Sequence, residues 1–136
     1  MRALGLEQGV VWTGMLEGDE KWGAFRAADA FILPSHQENF GISVAEALSC
    51  GVPTLITDKV NIWSEVAGAG AGFVETDTVA GAAAMLNAWL RLDQAEKLEM
   101  RTRARSLFSS KFDISRAAQA LLDVISSNGI TAPEPG

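Results

Sequence analysis

The chain has 136 residues, 48% of them hydrophobic and 21% charged, a composition that suits one globular domain able to bury its own core. Its formal charge of −6 argues against non-specific nucleic-acid binding, which needs clustered Lys and Arg, but leaves a nucleotide open as a small ligand. Cys50 is the single cysteine, which excludes an intramolecular disulfide, and neither a metal-ligand spacing nor a Cys-His pair is present.

The opening MRALGLEQGVVWTG lacks the apolar core and small-residue cleavage site of a signal peptide, and no stretch approaches the ~20 apolar residues of a spanning helix. A cytoplasmic location is expected, with any membrane contact made from the surface. GVVWTG (9–14) is β-branched and apolar and stops at glycine, which reads as a buried strand. DEKWGAFRAAD (19–29) carries Trp22, Phe25 and Ala28 at helical spacing. AFILPS (30–35) and VPTLIT (52–57) read as further buried strands, separated by FGISVAEALSCG (40–51), a helix with Ile42, Ala45 and Leu48 on one side. Apolar strands alternating with helices imply a parallel sheet covered on both faces, the α/β doubly wound pattern.

After Thr57 the sequence predicts a loop, a short helix at 61–67, a Gly-rich turn and a strand at 72–75. Three helices follow. The first, at 78–92, has Thr76, Asp77 or Thr78 as its N-cap. The second covers 93–109, and the third, at 113–127, gathers Ala117, Ala118, Leu121, Leu122 and Ile125 on one apolar face. The tail, 128–136, is expected to be flexible. Lys97, Arg101 and Arg105 recur every four residues with Arg103 nearby, which reads as a solvated face paired in part with Glu96 and Glu99; a weak membrane-surface patch is the rival reading.

The chemistry concentrates in SHQENFGISVAEALSCGVPTLIT (35–57). Glu38 sits in the loop after a strand, and Glu46 falls on the second turn of the helix that Phe40 and Gly41 open. In an open α/β sheet, ligands bind beyond the carboxyl ends of the strands, where helix N-termini offer free N–H groups to anions. Gly41 lacks a Cβ, so ligand oxygens can approach the amides of residues 39–42. Two carboxylates beside an anion site make sense when the ligand also carries hydroxyls, since ionised Glu accepts from O–H groups. A nucleotide sugar satisfies all three features. A glycosidase-type carboxylate pair fits this local pattern poorly. His36, the only histidine, stands two residues before Glu38, with structural and cleft roles equally open. Cys50 reads as core packing, as do Trp12, Trp22 and Trp89, while Trp63, in the loop after the third strand, is placed to touch ligand.

At these residues the sequence resembles the retaining glycosyltransferases of the GT-B, family 4 group, whose mark is a Glu-x7-Glu element. Ala28-Asp29, Leu33-Pro34-Ser35, Phe40-Gly41, Glu46-Ala47-Leu48 and Gly51-Val52-Pro53 carry the likeness, which extends over residues 4–125. The resemblance implies a partial Rossmann-like donor-binding domain at 1–127, with a short parallel sheet of three to four strands flanked by helices and C-terminal helices beyond. It implies metal-independent, retaining sugar transfer in glycoconjugate or polysaccharide building, with a nucleotide-diphosphate sugar as substrate and no cofactor. Glu38 would serve the reacting sugar and, with Asn39, Phe40 and Gly41, hold its hydroxyls. Ile42 would face the diphosphate, Glu46 would bind the ribose hydroxyls, and the turn at Gly14, Met15 and Leu16 would lie near the base.

Two departures stand out. DKVNIWSEV replaces the family's Gly-Gly-x-x-Glu segment, with Glu65 in the place of its glutamate and the glycines absent. The acceptor domain and the opening units of the donor domain have no counterpart in these residues. A helix N-terminus gives an anion ~0.3–1 kcal/mol, up to ~2 when partly buried, against about 1.4 for a tenfold change in affinity. Weak donor binding and dependence on the missing parts for turnover are therefore expected; the alternatives are a nucleotide-sugar-binding subunit that works with an acceptor-domain partner chain, or an inactive remnant or interaction module that self-associates through an exposed sheet edge.

Overall fold

The structure, a computed structural model, describes residues 5–36 and 42–112. In chain order it contains α1 (Gly18–Ala27), β1 (Phe31–Leu33), α2 (Ile42–Ser49), β2 (Thr54–Thr57), α3 (Trp63–Ala69), β3 (Gly72–Glu75), α4 (Val79–Leu90) and α5 (Gln94–Leu107). A 3-10 turn at Glu7–Gly9 precedes them, and α5 runs into a π turn at Phe108–Phe112. No helix among the described residues is long and apolar enough to cross a membrane.

The three strands form one parallel sheet in the order β1-β2-β3, with Phe31 opposite Thr54 and Thr54 opposite Gly72. Central β2 is buried along its whole length, Thr54 and Thr57 included, because both faces of the sheet are covered. Alternate side chains enter separate cores. Ile56 packs with Val44 and Leu48 of α2, Val66 of α3, and Ala104 and Leu107 of α5. Leu55 points the other way, into Met85 and Trp89 of α4 and Met100 of α5. Right-handed crossovers stepping in one direction put α2 and α3 on the same face, so α4 is left to cover the other.

Both inner helices end by the same device. Gly51 (φ +71°) and Gly70 (φ +66°) adopt the left-handed conformation that other residues resist. After α2, Gly51 N–H donates to Leu48 O (2.9 Å) and Val52 N–H to Ala47 O (3.0 Å); after α3, Gly70 N–H donates to Ala67 O (3.2 Å) and Ala71 N–H to Val66 O (3.1 Å). This Schellman closure satisfies the last carbonyls and turns the chain sharply into the next strand. Gly72 is required for a different reason, since a Cβ there would lie 1.7 Å from the Thr54 carbonyl oxygen on the neighbouring strand. At the start of α4 the cap is Thr78, whose hydroxyl accepts from Gly81 N–H at 2.9 Å, and Asp93 caps α5 through Glu96 N–H at 2.8 Å.

The α/β architecture and the order of elements agree with the sequence. The strand expected at residues 9–14 does not form. Residues 10–17 are irregular, Val11 and Trp12 are 83% and 82% exposed, and the expected packing role of Trp12 fails with the strand. Strand propensity yields a strand only where a neighbour supplies ladder bonds and a surface to pack against. Residues 10–17 pair with none of the three described strands. The helix and tail expected at 113–127 and 128–136 lie outside the described residues.

Two glycine substitutions should act in opposite directions. Gly51→Ala forces a Cβ onto a left-handed backbone and within 2.4 Å of Arg105 Nε, and it should destabilise the chain by about 1–2 kcal/mol. Gly23→Ala, in mid-α1 with open space around the new methyl, should stabilise it by ~0.5–1 kcal/mol. Urea midpoints at constant slope measure both.

Candidate functional site

Parallel pairing brings the carboxyl ends of all three strands to one edge, and the following loops are tied together there. The ring Nδ1 of His36, after β1, lies 3.0 Å from Asp77 Oδ2, after β3. Between them Thr57, the last residue of β2, donates its hydroxyl to Ser35 O and accepts from Lys59 N–H at 3.3 Å. His36 itself is 83% exposed, whereas Asp77 is largely covered. The histidine's bond to Asp77 is the main influence that holds the carboxyl below its ordinary value of 3.8, with a smaller contribution from the charge of Lys59 and opposition from desolvation.

Helix α2 starts at the same edge. Its buried positions, Val44, Ala47 and Leu48, follow helical spacing and anchor it to the core. Ile42, at its first position, is consequently left 65% exposed at the mouth of the edge. Glu46, one turn further, is mostly covered, and its Oε2 is wholly shielded from solvent. No hydrogen-bond donor of suitable geometry meets that oxygen among the described residues, but the ammonium of Lys21 on α1 lies 2.8 Å away and forms an ion pair with it. Lys21 in turn sits 4.9 Å over the Trp22 ring. Trp22, Ile42, Glu46, Phe108 and Phe112 line an open, largely apolar cleft of about 420 Å³. A larger cleft of about 600 Å³, between α3 and α5, shares none of these residues.

The predicted site residues therefore divide. Ile42 and Glu46 share the cleft. His36 and the 42% exposed Trp63 stand at the ends of β1 and the β2–α3 loop, on the same edge of the sheet. Met15 is 86% exposed in the irregular segment ahead of α1. Glu38, Asn39, Phe40 and Gly41 lie outside the described residues, bracketed by His36 and Ile42. Cys50 is half-buried, its Sγ 3.9 Å from Ser49 Oγ, and so is less enclosed than core packing implies. The basic stripe of α5 is tied to the protein: Arg103 pairs with Glu99 (3.3 Å), Arg101 with Asp29 (4.0 Å), and Lys97 lies 5.1 Å over Trp89. The sequence reading missed Lys21 and the bond of Asp77 to His36. Both are contacts between distant segments, which periodicity within one element does not reveal.

Comparison with known proteins agrees with the fold. The family described as glycosyl transferases group 1 matches residues 1–107. Glycogen synthase of Mycobacterium tuberculosis (H37Rv) is 32% identical over 135 residues, covering 91% of this chain and 30% of the synthase. A D-inositol 3-phosphate glycosyltransferase from Xylanimonas cellulosilytica is 30% identical over 120 residues, covering 74% of this chain and 24% of that enzyme. Among solved structures, a sucrose-phosphate synthase from Thermosynechococcus elongatus superposes with a TM-score of 0.76 at 20% identity, over 93% of this chain and 33% of that one. The chain thus spans about a third or less of the length of these proteins.

The depressed Asp77 value has a definite pH sign. Stability from the His36–Asp77 contact is fully present above about pH 3.8 and is lost as pH falls through the lower folded value. Carboxyl-carbon NMR should show Asp77 titrating below 3.8 in the parent chain and moving up towards it in His36→Ala; an Asp77 midpoint indifferent to that substitution would contradict the assignment.

Proposed function

Because the chain belongs to the glycosyl transferases group 1 family, we propose that it is the donor-binding portion of a retaining GT-B transferase of the family 4 type, which moves a sugar from a nucleotide-diphosphate donor to an acceptor. The observation that carries this reading is the position of Glu46, on the second turn of a helix that starts at the carboxyl edge of a parallel sheet. Such an edge is where α/β proteins receive nucleotides. The first amides of α2 face the diphosphate, whose negative charge grows as the sugar departs, and the helix dipole favours that charge. Glu46 accepts from the ribose hydroxyls, since an ionised carboxylate offers only acceptors. In the same reading Glu38, with Asn39, Phe40 and Gly41, holds the donor sugar and serves the reacting centre.

The acceptor-binding half comes from elsewhere, in the same polypeptide or a partner chain. This accords with a sequence that spans 30% or less of its curated relatives. It also accords with a helix α1 that buries no residue and with the exposed Val11, Trp12 and Met15 ahead of it, which leave apolar surface for another polypeptide to cover. The reaction builds a glycoconjugate or polysaccharide, with catalysis dependent on that second half.

Calorimetric titration of the folded chain with UDP, GDP and ADP tests the reading. One of them should bind with a Kd of roughly millimolar strength or better, as a half-built site with little beyond a helix N-terminus allows. Glu46→Gln should weaken it about tenfold or more, the scale of a lost hydrogen bond to a charged acceptor. Binding no tighter than that of inorganic phosphate, or binding indifferent to Glu46→Gln, would overturn it.

A further inference from the structure

We propose that Lys21 is a positioning residue of the donor site, which orients the Glu46 carboxylate towards the ribose hydroxyls; the inference rests on the reading of Glu46 given above. The ammonium meets Glu46 at Oε2, the oxygen that is wholly shielded, at 2.8 Å. A carboxylate is planar, so anchoring one oxygen fixes the direction of the other. That second oxygen keeps two lone pairs, enough for two neighbouring hydroxyls of one ribose.

Lys21 is itself held. It lies 4.9 Å over the face of Trp22, which limits the freedom that long cationic side chains otherwise retain. Surface ion pairs add little to stability, and neither partner here is fully buried, with side-chain exposures of 37% and 20%. The pair therefore sets the orientation of the carboxylate as well as joining α1 to α2. Since α1 leads into β1 and α2 follows it, Lys21 and Glu46 approach from opposite sides of that strand in sequence, and their contact fixes the two helices relative to each other at the donor edge.

The test compares the best-binding of ADP, GDP and UDP with its 2′-deoxy counterpart, in the full 136-residue chain. The two ligands carry the same phosphate charge, so their affinity ratio isolates recognition of the ribose hydroxyl. The parent chain should favour the ribonucleotide about tenfold, the scale of a hydrogen bond to a charged acceptor. Lys21→Met should collapse that preference to about twofold or less, and Lys21→Arg, which keeps the charge and donors, should retain most of it. Lys21→Gln gives the same charge removal with a polar side chain, should Lys21→Met fold poorly, and its preference should also collapse. A Lys21→Met or Lys21→Gln chain that keeps the parental ratio overturns the inference and leaves the reading of Glu46 standing. A higher ratio in these variants would mean that Lys21 covers the site, which also overturns it. A parental ratio near one overturns the reading of Glu46 and the inference with it.

Discussion

The register of three parallel strands is the constraint on which the rest of the molecule depends. Because Leu33, Ile56 and Val74 lie side by side, the loops that follow them emerge at one level, and side chains separated by forty positions meet there. The register is set from behind. Left-handed glycines after α2 and α3 complete each helix and turn the chain into β2 and β3, while the missing side chain of Gly72 lets β3 lie close to Thr54. Buried β2 then sends Ile56 into one core and Leu55 into the other, so a slip of one residue would exchange the two cores.

On that platform two polar contacts shape the carboxyl edge. His36 and Asp77 bridge the loops after the outer strands, and the Thr57 hydroxyl at the end of the central strand donates to the Ser35 carbonyl. Lys21 and Glu46 join α1 to α2 in front of the same edge. Each is made by residues on separate elements. Helix α1 has no buried residue of its own and is attached mainly through Phe25 against Phe31 and through Lys21.

Most of this architecture was legible in the sequence, for identifiable reasons. AFILPS and VPTLIT are short apolar runs closed by turn residues, and GISVAEALSCG joins helical spacing to a terminal glycine; each is a local signal that tertiary packing reinforces. GVVWTG has the same local signal and fails, because a strand is a property of a pair and this segment pairs with none of the three described strands. Asp77 illustrates another limit. Three adjacent residues were equally suited to cap α4, and the choice of Thr78 frees Asp77 for His36, a partner 41 positions away that no local pattern announces. The place of Glu46 on the second turn of α2 was legible from helical spacing, while its partner Lys21 belongs to no local pattern.

Hydrogen–deuterium exchange of the whole chain, with and without a saturating nucleoside diphosphate, tests the central claim most directly, that the donor nucleotide sits at the carboxyl edge before α2. New protection is expected only at residues 34–46, with a smaller effect in the loop at 57–63. Protection appearing instead along 64–69 and 102–111, the walls of the larger cleft between α3 and α5, or at neither place, would contradict it.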